Sequence, residues 1–320
     1  MASDTHLAPN SCSCRSGFSR NARFFSVPGN TKTSWLKPLL QGLGRSGQFA
    51  GALLALALCA QSAPAGCAEC ISFPQSTSQG ALVIGKVEPD SKVRYADRDL
   101  LVTPAGDVVF GIGRDEKGPV SVDVRRPDGR HVREEIAVTP RDWPIERVDG
   151  VPPKTVEPPP EIAERIRHEQ ARVVAARVRD DARADFMETF IWPVEGRISG
   201  RFGNQRIYNG IPKAPHSGMD IAVPQGTPIK APAGGLVTFA APDLYLPGGT
   251  VLIDHGHGVS SNFLHMSRID VKVGDRVEQG QIIGAVGKTG RATGPHLHWG
   301  LNWFDVRLDP LLLTGIQSGQ

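Results

Sequence analysis

Glycine and proline interrupt this chain so often that most of it can form only short strands joined by tight turns. The 320 residues include 36 glycines and 26 prolines, and only 6% are aromatic. Glycine supplies the positive φ angles of turns, whereas proline fixes φ and cannot donate a backbone hydrogen bond. The length exceeds one ordinary domain and is ample for a buried core. We therefore expect a mainly β protein with two folded units.

The first 65 residues have the features of an export signal. Lys37 and Arg45 precede an apolar run from Phe49 to Ala60, and small residues follow to Ala65. Secretory signals have this order, and the run is shorter than the roughly 20 apolar residues of a membrane-spanning helix. We therefore expect residues 1–65 to be a leader and the protein to be exported. The long stretch before the run suggests a start codon placed upstream of the true one.

Charge and cysteine positions narrow the functional classes. The leader holds six Lys/Arg and one acid, so the net charge of +3 leaves about −2 for residues 66–320. Nucleic-acid binding therefore loses its electrostatic support. All five cysteines precede residue 71, which excludes disulfides and thiolate metal sites downstream. Cys67 follows Ala65 and Gly66 as in a lipoprotein processing site, but Pro64 stands where leucine is usual, so a lipid anchor is disfavoured.

Residues 71–150 are predicted to form a small β-sandwich-like domain. Apolar residues there alternate in short bursts, which is typical of strands. Pro127-Asp-Gly129 lies between two such bursts and predicts a hairpin loop. The segment contains one histidine, His131, and no polar cluster with ligand spacing. We expect it to act as a surface or adaptor that contacts cell-envelope proteins.

Three further segments follow. Residues 151–160 are predicted to be a stiff extended linker, because five of the nine residues from 152 to 160 are proline. Residues 161–187 are predicted to form a connecting helix, since Glu161 to Phe186 lacks Gly and Pro and its apolar residues recur on one face. Residues 190–315 form the last domain. Six of the nine histidines lie there, between residues 216 and 298, so the chemistry is expected there.

Two histidine clusters in this domain have the spacing of metal ligands. One is His216-Ser-Gly-Met-Asp220, and the other contains His296 and His298 after a proline. Proline favours an extended residue before it, and residues i and i+2 of a strand face the same side. A catalytic zinc site needs three protein ligands and an open position. His216, Asp220 and either member of the second pair supply such a set, although each motif alone is weak.

Other histidine patterns are expected to lie outside the site. His255 and His257 flank a glycine that predicts a turn, where two rings need not converge. A helix-borne H-E-x-x-H protease is excluded, because His168-Glu169 is followed by Gln-Ala-Arg. The metal site must therefore have another architecture.

Residues 192–313 resemble the lysostaphin-type (LytM-like) family of zinc endopeptidases. The similarity lies in five segments that occur in the family's order: Pro215-His-Ser-Gly-Met-Asp-Ile-Ala222, Gly249-Thr-Val-Leu-Ile-Asp-His-Gly256, Phe263-Leu-His-Met-Ser267, Val273-Gly-Asp-Arg-Val-Glu-Gln-Gly-Gln-Ile-Ile-Gly284 and Gly287-Lys-Thr-Gly-Arg-Ala-Thr-Gly-Pro-His-Leu-His298. The resemblance implies one Zn²⁺ per chain, held by His216, Asp220 and His298. It also implies that His265 and His296 are catalytic.

The resemblance extends to fold, substrate and location. The family fold is a compact antiparallel β structure with a groove over the metal, and we expect Tyr208 and Asn209 to line that groove. The implied substrates are peptide bonds in peptidoglycan stems or cross-links. We expect the bond between D-alanine and a diamino acid, while glycine bridges remain open. The implied protein is a monomer of the periplasm or cell envelope that remodels the cell wall.

Two alternative functions remain to be weighed. Some members of this family lose ligands and act as regulators that activate other cell-wall hydrolases, but all five positions are filled here. Residues 231–237 and 273–280 are similar to the hairpins of biotinyl or lipoyl carrier domains. Such a domain needs an exposed lysine in a Met-Lys-Met setting, and the sequence contains none. We therefore expect an enzyme.

Overall fold

The computed structural model describes residues 71–313, whose regular structure is mostly β strand. The predicted mainly β fold class is confirmed. The export signal and the lipid anchor at Cys67 fall outside the described residues and stay predictions. Between residues 71 and 313, no helix combines the length and apolar character needed to cross a bilayer.

The N-terminal part of the described chain forms eight short strands. These are β1 (Ser76–Ser78), β2 (Leu82–Lys86), β3 (Lys92–Tyr95), β4 (Arg98–Leu100), β5 (Asp107–Gly111), β6 (Val120–Arg125), β7 (His131–Thr139) and β8 (Ile145–Val148). One sheet has the order β1-β7-β6-β3-β4, and β2 pairs with β5 separately. The predicted hairpin loop joins β6 to β7, where Gly129 has a φ of 87° and Arg126 accepts its amide hydrogen.

The segment predicted to be an extended linker is packed instead. It contains the short helix α1 (Pro153–Val156), and Val151 and Val156 are buried in a cluster with Tyr208. A run of prolines restricts φ but does not exclude helical turns, because proline suits the first turn of a helix. Prediction from composition therefore missed the contacts that hold this segment.

The connecting helix is shorter than predicted. Helix α2 (Pro160–Ala175) ends before residue 187, and only a 3₁₀ turn at Asp185–Met187 follows. Beyond the helix, Arg183 forms a 2.7 Å ion pair with Asp254, a contact between positions far apart in the chain.

The C-terminal part is dominated by one antiparallel sheet. Its strands run in the order β18-β14-β15-β16-β20-β12-β9, with β21 also paired to β20. Two smaller sheets have the orders β13-β19-β17 and β11-β10-β8. The strands are β9 (Arg197–Gly200), β10 (Gln205–Tyr208), β11 (Ile211–Pro212), β12 (Met219–Ala222), β13 (Pro228–Lys230), β14 (Gly235–Leu244), β15 (Gly248–Gly256), β16 (Val259–Met266), β17 (Arg268–Ile269), β18 (Arg276–Val277), β19 (Ile282–Ala285), β20 (Leu297–Trp303) and β21 (Val306–Leu308).

Both parts share one hydrophobic core. A single buried cluster runs from Val83 and Phe110 of the first part to Trp299 and Leu308 of the second. The rings of Tyr95 and Trp303 lie 5.8 Å apart. Strand β8 also adds to the C-terminal part by pairing in parallel with β10. Residues 71–313 therefore form one packed body rather than two units joined by an extended linker.

Candidate metal centre

Three buried side chains converge at the middle of the large sheet. Asp220 on β12 pairs directly with His298 on β20, and His216 precedes β12. Nε2 of His216 lies 3.0 Å from Nδ1 of His298 and 3.1 Å from Oδ1 of Asp220. Nδ1 of His298 lies 2.8 Å from the same carboxylate oxygen. The three atoms therefore form a nearly equilateral triangle.

The protonation of this triangle favours a bound cation. Nδ1 of His216 lies 3.0 Å from the carbonyl oxygen of Arg201. A carbonyl only accepts, so Nδ1 carries the proton and Nε2 presents a lone pair. That lone pair faces an oxygen of Asp220, and two buried acceptors in contact need a positive charge between them, either a proton or a metal ion. Ligand atoms about 2.0–2.1 Å from a tetrahedral zinc lie roughly 3.3 Å apart, close to the sides of this triangle. The residues therefore fit a metal.

The pKa values agree with a ligand set. Burial alone would raise the pKa of Asp220, but hydrogen bonds and charges from His216 and His298 outweigh it and hold that pKa well below its ordinary value. Burial lowers the pKa of His298 to about 4, against the opposing hydrogen bond to Asp220. At neutral pH the carboxylate is therefore ionised and the His298 imidazole neutral, as metal ligands must be.

The two histidines expected to be catalytic lie together beside the triangle. The rings of His265 and His296 are 4.7 Å apart, and Nε2 of His296 is 3.8 Å from Asp220. Nδ1 of His265 donates to the Thr289 carbonyl at 2.8 Å, and Nδ1 of His296 donates to the Gly294 carbonyl at 2.8 Å. In both rings the backbone therefore engages Nδ1, and Nε2 is the nitrogen left for other contacts. Burial lowers the pKa of His265 to about 3, with help from the neighbouring His296, so its ring stays neutral.

Backbone geometry places His265. It lies in strand β16 with a backbone φ of 63°, a value that residues other than glycine rarely adopt. Its amide nitrogen donates to the Pro247 carbonyl at 2.8 Å, and its ring is fixed by Thr289. Strained residues of this kind persist where surrounding contacts hold them, and they cluster at functional sites.

Arg206 is a contact of the site that the sequence motifs did not show. Its guanidinium donates to Oδ2 of Asp220 at 2.5 Å and to the Tyr208 hydroxyl at 2.9 Å. It therefore orients the carboxylate whose other oxygen belongs to the triangle. The available signal was strand alternation, because Arg206 and Tyr208 are two residues apart in β10 and share a face.

An open cavity of about 960 Å³ covers the centre. His216, His265 and His298 lie in its wall, and Tyr208 lines it as predicted. The prediction for Asn209 was wrong, because its amide turns away and exchanges hydrogen bonds with the backbone of Val151.

His255 and His257 have partners away from the centre. His255 is fully buried, and its ring nitrogens lie 2.7 Å from the Gly234 carbonyl and 2.9 Å from the Ser261 hydroxyl. His257 packs against Phe186, with 4.8 Å between ring centroids. Neither lines the cavity over the triangle.

Comparison with known proteins defines the class of this chain. The family model of Peptidase family M23 matches residues 214–310. A crystal structure from Pseudomonas aeruginosa that carries the peptidase M23 name is 35% identical, with a TM-score of 0.60, and the similarity covers 74% of this chain and 95% of that one. The chain belongs to peptidase family M23, which confirms the resemblance to lysostaphin-type enzymes.

Curated relatives also match part of this chain. Peptidoglycan DD-endopeptidase ShyA of Vibrio cholerae is 42% identical over 113 residues, which are 34% of this chain and 26% of that protein. An uncharacterized metalloprotease of Haemophilus influenzae is 36% identical over 128 residues, which are 39% of this chain and 27% of that protein. The chain thus spans about a quarter of the length of these relatives.

Proposed function

We propose that this protein is a zinc-dependent endopeptidase that hydrolyses peptide bonds in peptidoglycan stems or cross-links. The observation that supports the proposal is the buried triangle of His216, Asp220 and His298. Its ring nitrogens and carboxylate oxygen lie 2.8 to 3.1 Å from one another. Three protein ligands and access from a cavity are the arrangement of a catalytic zinc site. The relative named as a peptidoglycan DD-endopeptidase supports the substrate class. The bond that we propose is cleaved is the one between D-alanine and a diamino acid.

The chain's own residues supply positioning and proton transfer. A bound zinc polarises a carbonyl and lowers the pKa of water to about 7. The backbone engages Nδ1 of His265 and of His296, so Nε2 of each ring is proposed to accept a proton from water and later donate it to the leaving amine. Arg206 holds Asp220 in place through its second carboxylate oxygen. Loss of either histidine is expected to cost about 10²–10⁴ in rate.

We further propose that the protein is exported to the periplasm or cell envelope as a monomer. The order of charged, apolar and small residues before Ala65 supports export. The N-terminal strands are proposed to contact other envelope proteins. The alternative role is that of a regulator of other wall hydrolases. Loss of metal ligands would favour it, but all five site positions are filled.

Digestion of purified peptidoglycan tests the enzymatic proposal. The protein is incubated with walls of the D-alanyl–diamino-acid type and of the glycine-bridge type, with a chelator or with added zinc, and released peptides are identified by mass. We expect zinc-restored, chelator-sensitive products from at least one wall. The His298→Ala variant should release no products. The control is His131→Ala, which replaces an exposed histidine on β7 and should match the wild type. An absence of chelator-sensitive products from both walls would contradict the proposal.

A further inference from the structure

Two arginines line a second cavity beside the candidate metal centre. Arg177 follows helix α2 and Arg307 lies on β21, and both side chains are half-buried. This cavity has a volume of about 370 Å³. Arg307 also lines the larger cavity, which contains His216, His265 and His298. The two cavities therefore adjoin, and Arg307 belongs to the wall of both.

Neither arginine forms an ion pair with an acid among residues 71–313, although the charge of Asp305 opposes part of the effect of burial on the pKa of Arg307. Nε of Arg177 is buried without a hydrogen-bond partner within that range. The Arg307 guanidinium donates to the side-chain carbonyl of Asn302, which is neutral. Burial lowers the pKa of Arg177 to about 9, and the nearby charge of Arg307 lowers it further in the same direction. Two desolvated like charges side by side are destabilising unless an anion joins them.

The acid on the same cavity wall is already engaged. Glu169 of α2 accepts a hydrogen bond from Nε of Arg165 at 2.6 Å with one oxygen. Its other oxygen accepts from the Tyr245 amide at 2.7 Å. The C-terminus of α2 stabilises a nearby cation only modestly. The pair therefore keeps a positive charge at the cavity wall that Glu169 does not neutralise.

We propose that Arg177 and Arg307 form a carboxylate-binding subsite that holds a free carboxylate of the peptide being cleaved. Guanidinium groups bind carboxylates through paired, charge-assisted hydrogen bonds, and these gain strength where water is excluded. The subsite rests on the proposed peptidase function and deepens it, because it selects anionic peptides over peptides whose carboxyl groups are amidated. A neutral glycine bridge offers no such group by itself.

Paired substrates test the subsite. Two synthetic cross-linked stem peptides are compared that differ only in whether the stem carboxyl groups are free or amidated. The zinc-loaded full chain is expected to prefer the free form by about 10- to 100-fold in kcat/KM. The Arg177→Gln and Arg307→Gln variants should bring this ratio close to one, and Arg177→Lys should restore part of it. Arg167→Gln, a substitution of an exposed arginine on helix α2, serves as the matched control and should keep the wild-type ratio.

Binding measurements separate this subsite from the peptidase function. Calorimetry on the metal-free protein uses the same two peptides and, separately, inorganic phosphate. Tighter binding of the free form that depends on Arg177, together with cleavage of neither peptide by the zinc-loaded protein, would support the subsite and overturn the peptidase function. Equal affinity for the two peptides, or an unchanged ratio in both Gln variants, would overturn the subsite. Arg177-dependent binding of phosphate without any preference for the free peptide would overturn it in favour of a small-anion site.

Discussion

At the residue scale, the candidate site depends on which ring nitrogens and oxygens carry protons. Backbone carbonyls accept hydrogen bonds from Nδ1 of His216, His265 and His296, so Nε2 is the nitrogen that each ring offers at the centre. The sequence motifs predicted which histidines come together, because strand alternation and glycine turns bring such pairs to one side. They did not predict the backbone carbonyls, since those contacts join positions far apart in the chain. The catalytic roles stay predictions.

Arg206 is expected to strengthen metal binding without touching the metal. Because it orients Asp220 through a 2.5 Å hydrogen bond, Arg206→Gln should weaken zinc affinity by about 10- to 100-fold. Competition with a zinc indicator measures the dissociation constant. The matched control is Arg197→Gln, an exposed arginine on β9 that should leave affinity unchanged. Equal affinity in the Arg206 variant would show that the carboxylate is held by its neighbours alone.

Single arginines were beyond sequence prediction at this scale. Arg177 and Arg307 are 130 positions apart, and no spacing links them. Only the fold relates them, because it brings both to one cavity and leaves Nε of Arg177 without a hydrogen-bond partner in the described chain. The pair His296 and His298, in contrast, can be recognised in the sequence because its members are two residues apart.

At the element scale, turn chemistry predicted more than composition did. The hairpin between β6 and β7 was predicted from Pro127-Asp-Gly129, because three consecutive residues determine such a turn. The end of helix α2 and the packing of the proline-rich segment were not, because each depends on distant residues. Arg183 pairs with Asp254, and Val156 packs against Tyr208.

Two glycines with the same backbone angle should respond differently to alanine. Gly129 and Gly256 have φ values of 87° and 86°, so a side chain is strained at both. A Cβ at Gly129 meets nothing within 4 Å, whereas one at Gly256 would lie 1.7 Å from the Arg183 carbonyl oxygen. Gly129→Ala should therefore cost about 1–2 kcal/mol of unfolding free energy. Gly256→Ala should cost roughly 3 kcal/mol or more, because overpacking adds to strain.

Urea unfolding followed by circular dichroism gives both free energies. Gly129→Ala provides the internal control for φ strain, so the difference between the two variants isolates the clash. Equal losses in the two variants would mean that the segment around Arg183 moves aside without cost.

At the scale of the whole molecule, residues 71–313 are expected to unfold as one unit. The first and second parts share a core, and Tyr95 packs against Trp303 across the contact between them. Tyr95→Ala should lower the opening free energy of the most protected amides by about 3 kcal/mol in both β6 and β16. Hydrogen exchange measures both values. His131→Ala should change neither, and loss of protection confined to β6 would instead indicate two independent units.

The register between β12 and β20 has a consequence for folding. Asp220 lies directly opposite His298, and Leu264 of β16 lies opposite the same histidine. A slip of one residue would turn His298 to the other face of the sheet and separate it from Asp220. His216, Asp220 and His298 would therefore be expected to bind a metal only in chains whose strands have the native alignment.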